Sequence, residues 1–308
     1  MPFKFTNPIV TRALNETYRN EAFATNFEER CGAFIEILNS QPKETELKIM
    51  PTKEWALLVK TDHKKANEIV RNELNQRISL LWIVSSFKIN KLFNSTLELI
   101  NAGNLYPALV LVRALTEVSC NCSYTLSRAI PLIREANCNT SNYAKYHSAC
   151  HKLEKELMLG ISASKITALT ELPNTTTAQS ILNAIDDVSK KEKYSTIRKQ
   201  YDNLCEFVHP NKQSTDFFGI PTILDPNSSK QLKDEKLREE LRKKKIRVRY
   251  GRIEKYILNA PDYFESAESY LGMLISVISM NIALFVETLL EFRGAEVQLL
   301  IAGPTTQT

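Results

Sequence analysis

Apolar residues recur every three or four positions through most of this chain, the spacing that places them on one face of an α-helix. Segment 190–208 shows it most clearly, with a stripe formed by Tyr194, Ile197, Tyr201, Leu204 and Val208. Segments 78–100, 105–126 and 266–292 are apolar around much of their circumference, which is typical of helices buried on several sides. The pattern predicts an all-α fold, an antiparallel helical bundle with these four segments as its core.

Glycine and proline indicate where one predicted helix ends and the next begins. Gly103 suits the left-handed residue that ends a helix, and Pro107 lies in the first turn of the next helix, where its missing N–H is harmless. So short a connection predicts antiparallel neighbours. Additional helices are expected over 26–38, 141–159 and 177–189.

The last apolar segment raises the question of a membrane span. Residues 269–286 carry no charge, and 18 residues is the shortest length usually considered for a span. The polar side chains of Ser276, Ser279 and Asn281 and the glutamates on both flanks argue against lipid. We therefore expect a central helix of the bundle and no membrane partner.

Positive charge is concentrated in one part of the chain. The formal net charge is +5, yet Lys230–Lys255 holds twelve Lys/Arg against five Asp/Glu, a net of +7 that leaves about −2 for the rest. We expect a basic insertion before the last helix, with a charged helix over 231–245 and strand-like alternation over 246–250. Clustered Lys/Arg beside an aromatic ring can hold phosphates and stack a base, so this segment is either a nucleic-acid contact or a solvated basic surface. Its candidate residues are Arg242, Lys243, Lys244, Lys245, Arg247, Arg249 and Arg252.

These observations predict a division of the chain into five parts. They are an N-terminal helical extension (1–60), a helical core (61–215), the loop and basic insertion (216–262), a C-terminal helix that completes the core (263–295) and a tail (296–308).

The cysteines and histidines give no metal-binding pattern. The first 21 residues contain no apolar segment typical of a signal peptide, so we expect a cytoplasmic protein whose six cysteines are reduced and mostly fill the core. His147 and His151 are four residues apart beside Cys150, but no second ligand pair has metal-site spacing. We expect a solvated helix face there, with no metal and no cofactor.

Two other features are charged or titratable side chains on or next to apolar helices. Arg113 and Glu117 are four residues apart on a helix whose other positions make solvent exposure unfavourable, so they form either a structural ion pair or a polar site within the bundle. His209 follows a helix and precedes Pro210, so it either caps the helix C-terminus or acts as an acid/base or phosphate-binding group. We expect Arg113, Glu117 and His209 to meet inside the bundle.

Two of these helices together resemble a known group of proteins. The pattern ALxLxRALxE over 108–117, followed by YxxLxxFVHPN over 201–211, resembles a family of bacterial helical proteins of unknown function that is distantly similar to the HEPN superfamily. The resemblance covers residues 75–215. It implies RNA binding or metal-independent RNA cleavage in a toxin or phage-defence system, with RNA, a protein partner or antitoxin, or a second copy in a homodimer as partners.

The resemblance also implies a catalytic set. HEPN ribonucleases carry an Arg and a His on one helix with four to six residues between them, whereas Leu204, Asn203 and Asp202 occupy the corresponding Arg positions here. Arg198 is about 16.5 Å from His209 along an ideal helix, so Arg113 from the neighbouring hairpin would have to supply the charge. The hypothetical set is His209, Arg113 and Glu117. The alternative is a non-catalytic helical interaction or sensor module, in which this set is structural.

Overall fold

A computed structural model of the protein describes residues 3–44, 50–161, 163–164, 176–177, 181–208, 219–223, 253–258 and 264–294. Nine α-helices lie in these ranges. They are α1 (Pro8–Tyr18), α2 (Phe23–Asn39), α3 (Thr52–Thr61), α4 (His63–Asn101), α5 (Leu105–Cys138), α6 (Tyr143–Ile161), α7 (Ile181–Ser189), α8 (Ile197–Val208) and α9 (Phe264–Gly294). The predicted all-α bundle is confirmed.

The hairpin of α4 and α5 forms the centre of the bundle. Gly103 has a φ of 77°, the left-handed conformation expected of it, and three residues separate the two helices. Both helices are longer than the core segments predicted from the sequence, because α4 begins at His63 and α5 continues past Pro131 to Cys138. α5 packs against α4, α6, α7, α8 and α9, more helices than any other element of the bundle contacts.

The helix α1 was not among the sequence predictions. Its first turn combines two start signals: the Asn7 side chain accepts a hydrogen bond from the Ile9 N–H, and Pro8 occupies the first helical position. Val10, Ala13 and Leu14 are buried in the same core cluster as residues of α2, α4, α5, α6 and α9.

The prediction of one helix over 190–208 was wrong. A 3-10 turn over Glu192–Tyr194 precedes α8, and Lys191 before it has an extended backbone with φ −72° and ψ 123°. This break lets Lys191 and Tyr194 both reach Glu287 of α9, with Tyr194 buried. The helix predicted over 177–189 begins at Ile181 instead, because Thr176 and Thr177 belong to a strand.

Four short strands accompany the helices. β1 (Ala163–Ser164) pairs in parallel with β2 (Thr176–Thr177), and β3 (Gly219–Ile223) pairs antiparallel with β4 (Ile253–Leu258), Gly219 lying opposite Leu258. The latter pair brings together two ends of the segment predicted as a basic insertion. The predicted charged helix over 231–245 and the alternation over 246–250 lie outside the described residues.

The apolar helix α9 belongs to the core of the bundle. Tyr270–Arg293 contains an 18-residue window with a mean hydropathy of 2.0, so it is long and apolar enough to cross a membrane by composition alone, a test that core helices also pass. No side chain from Tyr270 to Leu289 is exposed, since each is buried or partly buried by the protein. Asn281, 1% exposed, donates a 3.0 Å hydrogen bond to Thr116 Oγ1 of α5, which ties this helix to the central one.

Candidate functional site

Arg113 and Glu117 of α5 meet Tyr201 of α8. Arg113 Nη2 lies 3.1 Å from Glu117 Oε1, the i,i+4 ion pair expected from their spacing. The Tyr201 hydroxyl donates a 2.7 Å hydrogen bond to that same oxygen and accepts a 3.3 Å bond from Arg113 Nη2. The guanidinium also lies over the Tyr201 ring, 5.5 Å from its centroid. We call these three residues the α5–α8 triad.

The triad arises because both helices turn a polar group toward their shared interface. The ring of Tyr201 continues the apolar stripe of α8 and is 2% exposed, while its hydroxyl extends to α5. A phenol suits this position, since it buries an apolar body and still carries a hydrogen-bonding tip.

The triad is half-buried, which corrects the expectation that Arg113 and Glu117 would be shielded from solvent. Their side chains are 24% and 32% exposed. Glu117 also lines a cleft of about 240 Å³, which is formed by α4, α5, Gly160 of α6 and Ile181 of α7. Its other polar lining residues are Ser85, Lys88 and Asn121.

The electrostatics keep Arg113 and Tyr201 protonated at neutral pH. Burial lowers the pKa of Arg113, but the hydrogen bond to Tyr201 and the charge of Glu117 outweigh it, so the net shift is upward. Burial and the hydrogen bond to Glu117 raise the pKa of Tyr201, against a smaller lowering by Arg113. The phenol therefore stays protonated and serves as a donor to a carboxylate.

His209, the predicted third member of this set, lies outside the described residues, and α8 is described only as far as Val208. The last turn of α8 is tied to α5 by Tyr106, whose hydroxyl donates a 2.6 Å bond to the Phe207 carbonyl oxygen. Sequence reasoning assigned Tyr201 only to the apolar stripe and missed its polar role. The available signal was the presence of a tyrosine in this stripe, because a buried tyrosine usually needs a hydrogen-bond partner for its hydroxyl.

A second arrangement of the same kind joins the 3-10 turn to α9. The Tyr194 hydroxyl donates a 2.9 Å hydrogen bond to Glu287 Oε2, and Lys191 Nζ lies 2.9 Å from Oε1. Burial raises the pKa of Glu287, but its bonds to Lys191 and Tyr194 outweigh this effect and lower it overall. The segment from Lys191 to Tyr201 is thus held to two core helices by two tyrosine–glutamate hydrogen bonds.

The other predicted features are placed as follows. His147 is partly buried, and burial lowers its pKa, while His151 is exposed and Cys150 is buried. Within the described ranges, no group of three or more His, Cys, Asp or Glu side chains is arranged to hold a metal. All six cysteines are free; four are buried, Cys205 is partly buried and Cys138 is exposed. The seven candidate nucleic-acid residues from Arg242 to Arg252 lie outside the described residues.

Comparisons of this chain with models of protein families, with curated proteins and with solved structures gave no match.

Proposed function

We propose that this chain is a non-catalytic helical interaction module of the cytoplasm, in a toxin or phage-defence system of the kind that the sequence resemblance implies. One observation carries the proposal: the charge of Arg113 is already used inside the protein. Its Nη2 atom is shared between Glu117 Oε1 and the Tyr201 hydroxyl. A phosphate clamp relies on the full positive charge of its guanidinium, and here the Glu117 carboxylate at 3.1 Å already offsets the charge of Arg113.

The second tyrosine–glutamate contact supports the same proposal. Glu287 holds Tyr194 and Lys191 as Glu117 holds Tyr201 and Arg113, and no catalytic role was expected for Glu287. The repetition favours a shared structural purpose, which is to fix the segment from Lys191 to Val208 on the bundle.

An RNA-cleavage assay tests the proposal. Purified wild-type protein is incubated in EDTA with several structured and unstructured RNAs, beside the His209→Ala and Arg113→Gln variants. The expected result is no cleavage by any of the three. Cleavage by the wild type that is lost in His209→Ala would replace this proposal with the metal-independent ribonuclease, since RNA carries its own 2′-OH nucleophile and needs only proton transfer and charge stabilisation.

RNA binding without cleavage is the second candidate, and the concentrated charge of Lys230–Lys255 favours it. Four phosphate contacts would give a log–log salt slope of roughly −3 to −4 on duplex and a smaller one on single strands. Replacing Lys243, Lys244, Lys245 and Arg247 by Ser should flatten that slope. Unchanged binding by the quadruple variant would place the contact elsewhere, and no binding by the wild type at low salt would remove this candidate.

A further inference from the structure

A second cleft, of about 510 Å³, lies between the α1–α2 connection, the 3-10 turn and the middle of α9. We call it the α1–α9 cleft. It is separate from the α5–α8 triad, and none of the triad residues lines it. Its volume is within the range of roughly 300–1,000 Å³ found for small-molecule sites.

One wall of the α1–α9 cleft is built from parallel aromatic rings. Tyr18 and Phe23 stack with centroids 3.7 Å apart and an interplanar angle of 8°. Phe27 lies 6.4 Å from Phe23 and is parallel to it within 7°. Rings stacked in this way present their edges side by side, and a planar aromatic group packs against ring edges in the edge-to-face geometry that aromatic pairs favour.

The opposite wall is a mixed surface of α9. Ile275, Met280 and Ala283 supply apolar area, and Ser276 and Ser279 place two hydroxyls among them. Ser276 Oγ accepts a 2.9 Å hydrogen bond from Gln200 Nε2, so its hydroxyl hydrogen can be donated to a ligand.

The charge of the lining is positive. Arg30 and Lys193 line the cleft, and no Asp or Glu does. Arg30 takes part in none of the ion pairs found among the described residues. Lys193 Nζ is 3.5 Å from Glu287 Oε2, but that carboxylate is closer to Lys191, and the Lys193 side chain is 62% exposed. Both cations can therefore turn to a ligand.

We propose that the α1–α9 cleft binds a planar aromatic anion, whose ring packs between the parallel aromatic wall and α9 and whose carboxylate, sulfonate or phosphate is held by Arg30 and Lys193. The ring supplies the apolar contact area. The charged head supplies specificity, since a neutral analogue makes no ion pair with Arg30 or Lys193.

A pair of fluorescent probes tests the proposal on the full chain. The anionic probe is 8-anilinonaphthalene-1-sulfonate, and the neutral one is N-phenyl-1-naphthylamine, which has the same ring system without the sulfonate. We expect saturable binding of the anionic probe that weakens between about 50 and about 500 mM NaCl, because salt screens an exposed ion pair. The neutral probe should bind more weakly, with little dependence on salt.

Variants locate the site. The Arg30→Gln/Lys193→Gln double variant should weaken binding of the anionic probe by roughly three- to tenfold, as expected for two partly exposed ion pairs, and leave the neutral probe unchanged. Arg134→Gln, which removes an exposed arginine of α5 that does not line the cleft, is the matched control and should change neither. Ser279→Trp should reduce binding of both probes by filling the cleft.

Competition identifies the head group, with 1-naphthoate and 1-naphthyl phosphate as competitors. Displacement by either supports the proposal and shows which head is preferred, whereas displacement by neither overturns it. Equal affinity of the anionic probe for the wild type and the Arg30→Gln/Lys193→Gln variant also overturns it. That double variant changes only surface side chains, so the test does not depend on whether Ser279→Trp folds.

Discussion

The Tyr201 hydroxyl donates a 2.7 Å hydrogen bond to Glu117 Oε1, the same carboxylate oxygen that pairs with Arg113 at 3.1 Å. Glu117 Oε1 thus links α8 to an ion pair whose two members both belong to α5. The contact therefore ties the position of α8 on the bundle to the Tyr201 hydroxyl.

Tyr201→Phe should destabilise the protein while keeping the buried ring. A hydrogen bond to a charged group contributes about 1.5–3 kcal/mol, and the partial exposure of Glu117 places the expected loss near the lower end, about 1–2 kcal/mol. Urea unfolding followed by circular dichroism measures it. Tyr18→Phe is the control, because that hydroxyl makes only an exposed 3.3 Å contact with the Gly272 carbonyl oxygen. An equal loss in both variants would mean that the Tyr201 bond stabilises the protein no more than this exposed contact does.

The two members of the bond should be energetically coupled. Glu117→Gln keeps the shape of the side chain and removes its charge, so part of the bond to Tyr201 is lost in the single variant. In a double-mutant cycle, we expect Tyr201→Phe to have a smaller effect in the Glu117→Gln background, with a coupling free energy of about 0.5–2 kcal/mol. Additive effects within about 0.3 kcal/mol would contradict a direct interaction.

Acid should weaken the contact between the 3-10 turn and α9. The folded-state pKa of Glu287 is lowered relative to its ordinary value of 4.5, so its stabilising contribution is present above that value and is lost as the pH falls through the lowered pKa. The free energy of unfolding should therefore drop below about pH 4.5, and less steeply in Glu287→Gln. Glu98→Gln, at an exposed position of α4, serves as the comparison and should follow the wild-type pH dependence.

Gly160→Ala should destabilise the packing of α6 on α5. A Cβ at this position would lie 2.6 Å from Thr125 Cγ2 and 2.9 Å from Thr125 Oγ1, and Thr125 is buried. Overpacking of this kind typically destabilises by about 1–3 kcal/mol. Thermal unfolding should show a lower Tm, and adding Thr125→Ala should recover part of the loss because it removes both close atoms.

Gly32→Ala is the matched control for that substitution. The nearest atom to its Cβ would be the Phe3 backbone nitrogen at 3.5 Å, an ordinary contact in the middle of α2. Alanine favours a helix over glycine by about 1 kcal/mol, so this variant should be as stable as the wild type or more stable. A fall in Tm as large as that of Gly160→Ala would show that glycine is needed in these helices for another reason.

Local signals in the sequence allowed much of the helical framework to be predicted. One error was a local signal that was overlooked, and another was a helix break that depends on a contact with a distant residue. Asn7 and Pro8 are local signals for the start of α1, but this helix was not among those expected from the sequence. The break before α8 has no comparable local signal, because Lys191–Tyr194 contains neither Gly nor Pro and its periodicity continues that of α8. Glu287, about ninety residues further along the chain, supplies the hydrogen-bond acceptor that stabilises the break.

By itself, the sequence determined that this protein is a helical bundle, because helical periodicity and the Gly103 turn depend only on neighbouring residues. It also determined that Arg113 and Glu117 could pair, since residues four apart on a helix are neighbours. Only the tertiary structure decided that Tyr201 completes the pair, that the pair remains partly exposed beside a cleft, and that Tyr18, Phe23 and Phe27 face α9 across a second one. These features depend on which helices pack together, and in this bundle packing joins residues as far apart in the chain as Tyr18 and Gly272, 254 positions.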